Sequence, residues 1–222
     1  MPYDTLLFDF DGVLINSYTA LLYAYKTISV ELFGKELDVN WFKEIDTTNY
    51  NSTFAEMGIT DSQKDQAVEI ISRHYKQELL KIEIPDNLIE TINILAESFP
   101  KIGICSTNHN TTIESKLHPV NSHFKTIIGH ADIKEVNEEG ELRIKPDPYP
   151  LNLAMQELNS SPDRTIFLGD SINDLLAARG AGCYIGLCLW FPYETEKSLR
   201  ALKPDAFFNS PEELLILKAL SK

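Results

Sequence analysis

The segment from Leu6 to Leu14 constrains the fold of this chain more than any other. It begins as an apolar run, then carries Asp9 and Asp11, and then Gly12. Continuous apolar runs are typical of strands in a parallel sheet that is buried on both faces. Because side chains alternate along a strand, the carboxylates are predicted to share one side, and the glycine allows a sharp turn. The segment predicts a buried first strand ending in paired carboxylates, although a plain aspartate-glycine turn also fits it.

The paired carboxylates also predict a ligand site. The carboxyl end of a first strand is where open α/β sheets bind ligands. Burying unpaired charge is costly, so Asp9 and Asp11 require a cation, a proton or a basic partner nearby. A hard divalent cation with oxygen ligands is the natural candidate.

Two regions with different patterns follow the first strand. Residues 17–84 have apolar residues at helical spacing and no convincing strand, which predicts a small inserted helical domain. From residue 85 onward, short apolar runs alternate with helical patterns, which is typical of a doubly wound parallel sheet. We therefore predict an α/β fold in which residues 1–16 and 85–222 form the sheet domain and residues 17–84 form the helical domain.

Two later segments carry strong local signals. Residues 136–144 have Asn137 to Gly140 between apolar residues, a pattern typical of a β-hairpin. Residues 210–213 read Ser-Pro-Glu-Glu, which predicts a capping box with proline at the first position of a final helix.

Charge and cysteine content restrict partners and compartment. The formal net charge is −13, which argues against nucleic acid and anionic membranes as partners. The 3 cysteines lie in apolar runs without a Cys-x-x-Cys pair, which indicates buried, reduced thiols. No apolar run reaches the roughly 18 residues of a membrane span, and no signal peptide precedes the first strand. We expect a cytoplasmic monomer or weak homodimer without membrane or nucleic-acid partners.

Four separated segments place polar groups at or just after the ends of predicted strands. These groups are Asp9 and Asp11; Ser106, Thr107 and Asn108; Lys145; and Asp170 and Asp174. Because the carboxyl ends of parallel strands meet at one edge of a sheet, these groups can converge. Several carboxylates, one lysine and one hydroxyl suit a metal-assisted phosphoryl site, where a cation neutralises carboxylate and phosphate together.

Simpler structural roles also fit several of these residues. Ser106 could cap the following helix. Asp170 or Ser171 could be the N-cap of a later helix, with Asp174 completing a cap-like pair. Lys145 could lie at the exposed end of the predicted hairpin. The sequence leaves these alternatives open.

The four segments, in this order, resemble the motifs of the haloacid dehalogenase (HAD) superfamily of phosphohydrolases. The resemblance covers the whole chain and points to the branch of phosphoglycolate phosphatases and β-phosphoglucomutases, which carries a helical cap. The matching segments are Asp9-Phe10-Asp11-Gly12-Val13-Leu14, Ile104-Cys105-Ser106, Lys145-Pro146 and Gly169-Asp170-Ser171-Ile172-Asn173-Asp174. The resemblance implies a Rossmann-like core and identifies residues 17–84 as the cap.

The resemblance also implies catalytic roles. Asp9 matches the nucleophile that forms an aspartyl-phosphate. Asp11 matches the acid that protonates the leaving oxygen and then the base that activates water. Ser106 matches the phosphate-binding hydroxyl, beside the Thr107 amide. Lys145 matches the lysine that holds the phosphate and keeps the nucleophile ionised.

The remaining implied roles concern metal and substrate. Asp9, the Asp11 carbonyl and Asp170 match ligands of Mg²⁺, and Asp174 matches an indirect or water-mediated ligand. Asn108, beside the phosphate-binding hydroxyl, is a further candidate for phosphate binding. In the cap, Lys43 begins a loop that ends at Tyr50, and it is the candidate for contacting the substrate beyond its phosphate.

Some positions depart from the family pattern. Asn16 stands where the family often has Asp, which bears on cap hinging. The cap loop lacks the Gly near Asp46 that the family usually has. It also lacks the Arg near Asn49 that the phosphohexose mutases have, which weakens a mutase assignment. Asp11 separates the chain from the dehalogenase and phosphonate-cleaving branches.

We expect a Mg²⁺-dependent phosphatase that acts on a small phosphorylated metabolite. The alternatives are a sugar phosphomutase, a phosphoacceptor domain of the receiver type and a phosphate-binding regulator without turnover. Receivers phosphorylate an aspartate on a middle strand and lack the helical insertion, which speaks against that class.

Overall fold

The computed structural model describes residues 2–42, 50–191 and 196–221. The chain divides into two compact units, of which one is Met1–Ile15 together with Glu83–Lys222 and the other is Asn16–Ile82. Within the described residues, no helix is long and apolar enough to cross a membrane.

The larger unit is built on a six-stranded parallel sheet. The strands are β1 (Thr5–Phe8), β2 (Lys101–Cys105), β3 (Phe124–Ile128), β4 (Thr165–Gly169), β5 (Tyr184–Cys188) and β6 (Ala206–Phe208). Their spatial order is β3-β2-β1-β4-β5-β6, and every neighbouring pair is parallel. This order confirms the predicted doubly wound α/β sheet.

The position of β1 determines where a ligand can bind. The chain builds β2 and β3 on one side of β1 and then crosses to build β4, β5 and β6 on the other. In register, Phe8 at the end of β1 lies opposite Ile104 and Leu168. Open α/β sheets bind ligands at such a change of direction, beyond the carboxyl ends of the strands.

The smaller unit consists of helices in its described part. They are α1 (Ser17–Phe33), α2 (Val39–Phe42), α3 (Tyr50–Glu56) and α4 (Lys64–Leu79), with a 3₁₀ turn at Asp61–Gln63. Helix α4 buries Ala67, Ile70 and Ile71, which recur at helical spacing. Gly34 ends α1 in the left-handed conformation typical of a helix C-cap.

The helices of the larger unit alternate with its strands. They are α5 (Asp86–Ala96), α6 (Asn110–Lys116), α7 (Tyr149–Glu157), α8 (Ile172–Ala181) and α9 (Glu196–Ala201). Short 3₁₀ segments lie at Asn121–His123, His130–Asp132, Pro162–Arg164 and Pro211–Ala219. Leu6, Leu7 and Phe8 of β1 are fully buried, as expected for a central strand covered on both faces.

The hairpin predicted over residues 136–144 is present but short, with a single antiparallel bridge between Val136 and Leu142. Both residues are exposed, so no apolar face favours a longer ladder. Two cross-strand backbone bonds flank the bridge, from the Asn137 N–H to the Glu141 carbonyl at 2.8 Å and from the Arg143 N–H to the Glu135 carbonyl at 3.0 Å. The Asn137 side chain also accepts the backbone N–H groups of Glu139 and Glu141 inside the turn.

The final helix predicted from residues 210–213 is a 3₁₀ helix, Pro211–Ala219, and the predicted capping box does not form on Ser210. The Glu213 carboxylate instead accepts the backbone N–H of Asn209 at 2.7 Å. The backbone N–H of Glu213 bonds to the Ser210 carbonyl three residues earlier, as in a 3₁₀ turn.

Candidate active site

Asp9 directly follows β1 and lies in the interior of the larger unit, only 6% exposed. Its backbone N–H donates to the Leu168 carbonyl of β4 at 2.8 Å, which extends the sheet pairing by one residue. Its Oδ1 accepts the Phe10 backbone N–H at 2.7 Å. The carboxylate is therefore fixed in place by the end of the sheet.

A tight turn after Asp9 presents Asp11. Gly12 has φ +74°, a left-handed conformation that residues with a Cβ atom rarely adopt. Its N–H donates to the Ile15 carbonyl at 2.9 Å, which closes the turn. The indole N–H of Trp190 donates to the Val13 carbonyl at 2.9 Å and ties the turn to the segment after β5.

Lys145 lies at the centre of the charged groups. It is 8% exposed, and its Nζ is 2.8 Å from Asp9 Oδ1 and 2.7 Å from Asp174 Oδ1. It also donates to the Cys105 carbonyl at the end of β2, at 3.2 Å. These contacts exclude the alternative in which this lysine is an exposed hairpin end.

The loop that carries Lys145 is held by a second cation. Arg143 pairs with Asp147 at 3.1 Å and with Glu135 at 3.0 Å, on either side of the lysine along the chain. Asp147 also accepts the backbone N–H of Tyr149 at 2.7 Å, which links the loop to the start of α7. Arg143 thereby braces the loop from outside while the lysine reaches into the interior.

Asp174 has both the structural role and the site position that the sequence left as alternatives. Ser171 is the N-cap of α8, and its hydroxyl accepts the backbone N–H of Asp174. In return, Asp174 Oδ2 accepts bonds from the Ser171 hydroxyl at 2.7 Å and from the Asp170 backbone at 3.1 Å. Its other oxygen, Oδ1, accepts a hydrogen bond from Lys145 Nζ. The capping box thus fixes the carboxylate that holds the lysine.

Asp9, Asp170 and Asp174 form a compact group of buried carboxylates. One oxygen from each lies within 4.8 Å of the others. Gly169 makes this approach possible, since a Cβ atom there would lie 2.4 Å from the Asp174 Cβ. The group consists of oxygen donors, the ligand type that hard divalent cations such as Mg²⁺ prefer.

The charges in this group shift the pKa values strongly. Burial and then the charge of Asp174 raise the pKa of Asp9 to about 8, while Lys145 acts in the opposite direction. Burial and the charges of Asp174 and Asp9 also raise the pKa of Asp170 well above its usual range. Burial disfavours the Lys145 ammonium, but the charges of Asp174 and Asp9 outweigh it and raise its pKa.

The pKa of Asp174 shifts in the opposite direction to those of Asp9 and Asp170. Burial raises its pKa, but the charge of Lys145 and hydrogen bonds from Lys145 and Ser171 outweigh burial and lower the pKa overall. The lysine therefore stabilises one carboxylate and leaves Asp9 and Asp170 in need of further positive charge. A divalent cation fits this donor set on both charge and ligand type.

Ser106, Thr107 and Asn108 follow β2 at the same edge of the sheet. Ser106 is 4% exposed, and its backbone N–H donates to the Ile128 carbonyl of β3 at 2.9 Å. Its hydroxyl accepts the Asn108 backbone N–H at 3.1 Å. The Asn108 side chain donates to the Asp11 carboxylate at 3.1 Å and 3.4 Å. Thr107 is exposed.

The larger unit brings together most of the residues that the sequence singled out. Lys145 contacts both Asp9 and Asp174. Asn108 contacts both Asp11 and Ser106. Lys43 lies outside the described residues. The sequence did not predict two contacts: the bond from Trp190 to the Val13 carbonyl and the ion pairs of Arg143. No local sequence pattern signals either of them.

The doubly wound sheet and the lysine–carboxylate group at its carboxyl edge define an α/β enzyme whose acidic centre lies where the strand order changes direction. The family model of haloacid dehalogenase-like hydrolases matches residues 6–187. The chain therefore belongs to the haloacid dehalogenase-like hydrolases, and it is an enzyme of that family, as the resemblance implied.

Relatives of similar length support this assignment. Pyrophosphatase PpaX of Bacillus cereus (strain Q1) is 27% identical over 228 residues, which cover 97% of this chain and 96% of the relative. PpaX of Bacillus mycoides (strain KBAB4) is 25% identical over 224 residues, with the same coverage.

Solved structures share the fold. A proposed phosphoglycolate phosphatase from Lactobacillus plantarum aligns with TM-score 0.78 and 23% identity, over 98% of this chain and 100% of that one. A HAD family hydrolase from Deinococcus radiodurans, solved with phosphate and sodium bound, aligns with TM-score 0.78 and 21% identity, over 99% and 97%. A proposed β-phosphoglucomutase from Thermotoga maritima aligns with TM-score 0.73 and 20% identity, over 98% and 99%.

Proposed function

We propose that this chain is a Mg²⁺-dependent phosphatase that hydrolyses a small phosphorylated metabolite through a phosphorylated Asp9. The observation that carries the proposal is the buried ion-pair bridge in which Lys145 Nζ lies 2.8 Å from Asp9 and 2.7 Å from Asp174. Buried charges of this kind are costly to a fold, and strongly perturbed carboxylates cluster at functional sites.

Asp9 is the nucleophile. Its carboxylate attacks the phosphorus of the substrate, the ester P–O bond breaks, and an aspartyl-phosphate forms. Lys145 keeps positive charge beside the nucleophile during the attack, and Asp174 holds the ammonium in place. Asp174 acts on the reaction through the lysine, since its own oxygens are occupied by Lys145, Ser171 and the Asp170 backbone.

Asp11 moves the protons. Its carboxyl group donates a proton to the leaving oxygen in the first step and takes a proton from water in the second. That water attacks the phosphorus, the bond to Asp9 breaks, and inorganic phosphate is released. The position of Asp11 on the turn at Gly12, beyond the end of β1, supports this role.

The phosphate is held by groups at the end of β2 and in the loop before α7. The Ser106 hydroxyl and the Thr107 amide donate to phosphate oxygens, and Lys145 supplies charge. Mg²⁺, when bound, neutralises the phosphate and the carboxylates together and makes the phosphorus more electrophilic. Asp9, the Asp11 carbonyl and Asp170 would hold the cation, with Asp174 an indirect ligand.

The helical unit serves as the cap that excludes water until the leaving group departs. Early water would compete with proton donation by Asp11. Residues 17–84 are the predicted cap domain, with Lys43 as the candidate for contacting the substrate beyond its phosphate. Within this unit, Arg73 is the only arginine, and it pairs with Glu31 at 3.6 Å. Its position within α4, rather than in the loop from Lys43 to Tyr50, disfavours a sugar phosphomutase, which needs a second anion clamp.

A substrate panel tests the proposal. Purified protein with Mg²⁺ is assayed for phosphate release from inorganic pyrophosphate, phosphoglycolate, sugar phosphates and nucleotides. Pyrophosphate is included because PpaX relatives match the chain over nearly its whole length. Asp9→Asn, purified identically, measures contaminating phosphatases.

We expect release from at least one ester or anhydride by the wild type and none by Asp9→Asn. Interconversion of two sugar monophosphates in the presence of a bisphosphate would instead identify a mutase. Binding of phosphate without turnover of any compound would identify a regulator.

A further inference from the structure

The Asn108 side chain connects the second and first motifs. Its Nδ2 donates to Asp11 Oδ2 at 3.1 Å, with Oδ1 at 3.4 Å, across 97 residues of sequence. The sequence suggested instead that Asn108 binds phosphate. The observed partner is the carboxylate that would move the protons.

Three further bonds fix the orientation of this asparagine. Its Oδ1 accepts the His109 backbone N–H at 2.8 Å, so the amide nitrogen is the end that faces Asp11. Its backbone N–H donates to the Ser106 hydroxyl at 3.1 Å, and its carbonyl accepts the His130 N–H at 2.9 Å. The residue is half-buried, with its backbone held by two bonds and its side-chain oxygen by a third.

An amide anchored in this way restricts a neighbouring carboxylate without exchanging protons with it. Asp11 lies on a turn beyond the end of β1. Proton transfer requires the acid within hydrogen-bond reach of the leaving oxygen, and small displacements are costly in rate.

We propose that Asn108 is a positioning residue that orients the Asp11 carboxyl group for proton transfer to the leaving group. This inference rests on the proposed phosphatase function. It assigns to Asn108 an effect on leaving-group departure, whereas phosphate binding belongs to Ser106, Thr107 and Lys145.

Substrates whose leaving groups differ in their need for a proton distinguish this positioning role from a purely structural one. Departure of an alkoxide requires a proton, while departure of a dinitrophenolate does not. The ratio kcat/KM covers the steps up to departure of the leaving group. We therefore measure kcat/KM for an alkyl phosphate, phenyl phosphate, nitrophenyl phosphate and dinitrophenyl phosphate with wild type, Asn108→Ala and Asn108→Asp.

We expect Asn108→Ala to lower kcat/KM for the alkyl ester by about 10- to 100-fold, since general acids contribute about 10²- to 10⁴-fold and the acid itself remains. For dinitrophenyl phosphate the loss is expected to be less than about threefold. Asn108→Asp keeps the shape of the side chain but repels Asp11, so its loss on the alkyl ester is at least as large.

The control variant is Asn110→Ala. Asn110 donates to Asp132 at 2.6 Å at the start of α6, so the change removes a side-chain bond from the same loop. Generic loosening of the loop lowers kcat/KM equally for all four esters. Thermal unfolding checks that each variant is folded. If Asn108→Ala is unfolded, Asn108→Asp is used in its place.

Inorganic phosphate serves as a second probe. We expect its inhibition constant to change by less than about twofold in Asn108→Ala, because phosphate is held by other groups. A rise in that constant matching the loss in kcat/KM would show that Asn108 binds phosphate and would overturn the inference. An equal loss on every ester, or no loss, would also overturn it. Absence of wild-type turnover on every ester would contradict the phosphatase function itself.

Discussion

Gly12 and Asp170 approach so closely that a Cβ atom on Gly12 would lie 1.9 Å from Asp170 Oδ2. Non-bonded heavy atoms cannot come this near, so either the turn or the carboxylate would have to move. The contact joins the turn after β1 to the loop after β4. Glycine at this position therefore fixes the distance between the first and fourth motifs.

We predict that Gly12→Ala lowers kcat/KM for nitrophenyl phosphate by about 10²-fold or more, because a displacement of about 1 Å at a catalytic group has that effect. The free energy of unfolding should also fall by about 1–3 kcal/mol, since alanine is strained at φ +74°. Steady-state kinetics and urea denaturation measure the two effects.

Gly140→Ala is the matched control. Gly140 has φ +82°, but no atom lies within 4 Å of the position its Cβ would take. It should lose about 1–2 kcal/mol from backbone strain alone and keep its activity. If Gly12→Ala behaves like this control, the close approach to Asp170 has no bearing on function.

The acidic centre was predictable because its parts belong to one edge of a parallel sheet. Asp9, Lys145 and Asp174 come from distant segments: Asp9 follows β1, Asp174 lies in the first turn of α8, and Lys145 lies in the loop between β3 and α7. The direction of the strands brings the ends of these segments to one edge of the sheet. The role of Asp174 in a capping box was also foreseeable from its spacing to Ser171.

The contacts between loops could not be predicted in the same way. The bond from Asn108 to Asp11 depends on the conformations of two turns, and the bond from Trp190 to the Val13 carbonyl depends on a backbone acceptor. Neither leaves a spacing or a composition signal. The hairpin over residues 136–144 forms, but with a single bridge between Val136 and Leu142. A strand pattern does not reveal this shortness, which follows from the exposure of both residues and from the bonds that Asn137 makes inside the turn.

Removal of the cation should abolish activity. Asp9, Asp170 and a phosphate group cannot share one site without further positive charge. We predict no turnover in excess chelator and full recovery on adding Mg²⁺. Calcium should inhibit, since it takes more ligands in a looser geometry and would misplace the attacking carboxylate. Phosphate release measured across a series of metal ions checks this, and full turnover in chelator would contradict it.

The pKa of Asp9 predicts how stability depends on pH in chelator. Burial and Asp174 raise it from 3.8 to about 8, so the folded chain binds this proton more tightly than the unfolded chain. The stabilisation is complete below about pH 4 and is lost as the pH rises towards 8. Asp9→Asn stays neutral throughout, so it provides the reference.

The free energy of unfolding of the wild type, minus that of Asp9→Asn, should fall by a few kcal/mol across this pH range, at about 1.4 kcal/mol per unit. Urea denaturation of both proteins at several pH values measures the difference. Mg²⁺ should reduce the slope, because it competes with the proton for the same carboxylate. A difference that is constant with pH would show that Asp9 titrates normally.

The covalent role of Asp9 is tested most directly by trapping its phosphorylated form. Asp11→Asn leaves dinitrophenyl phosphate able to react, since this leaving group needs no acid, but it removes the base that activates water. The aspartyl-phosphate should therefore accumulate. After acid quenching, borohydride reduces an acyl phosphate to an alcohol, and peptide mass spectrometry locates the product. We predict homoserine at position 9, dependent on both substrate and Mg²⁺, and none in the double variant that also carries Asp9→Asn. Release of phosphate with no homoserine at this position, together with turnover by Asp9→Asn above a few per cent of wild type, would contradict the account.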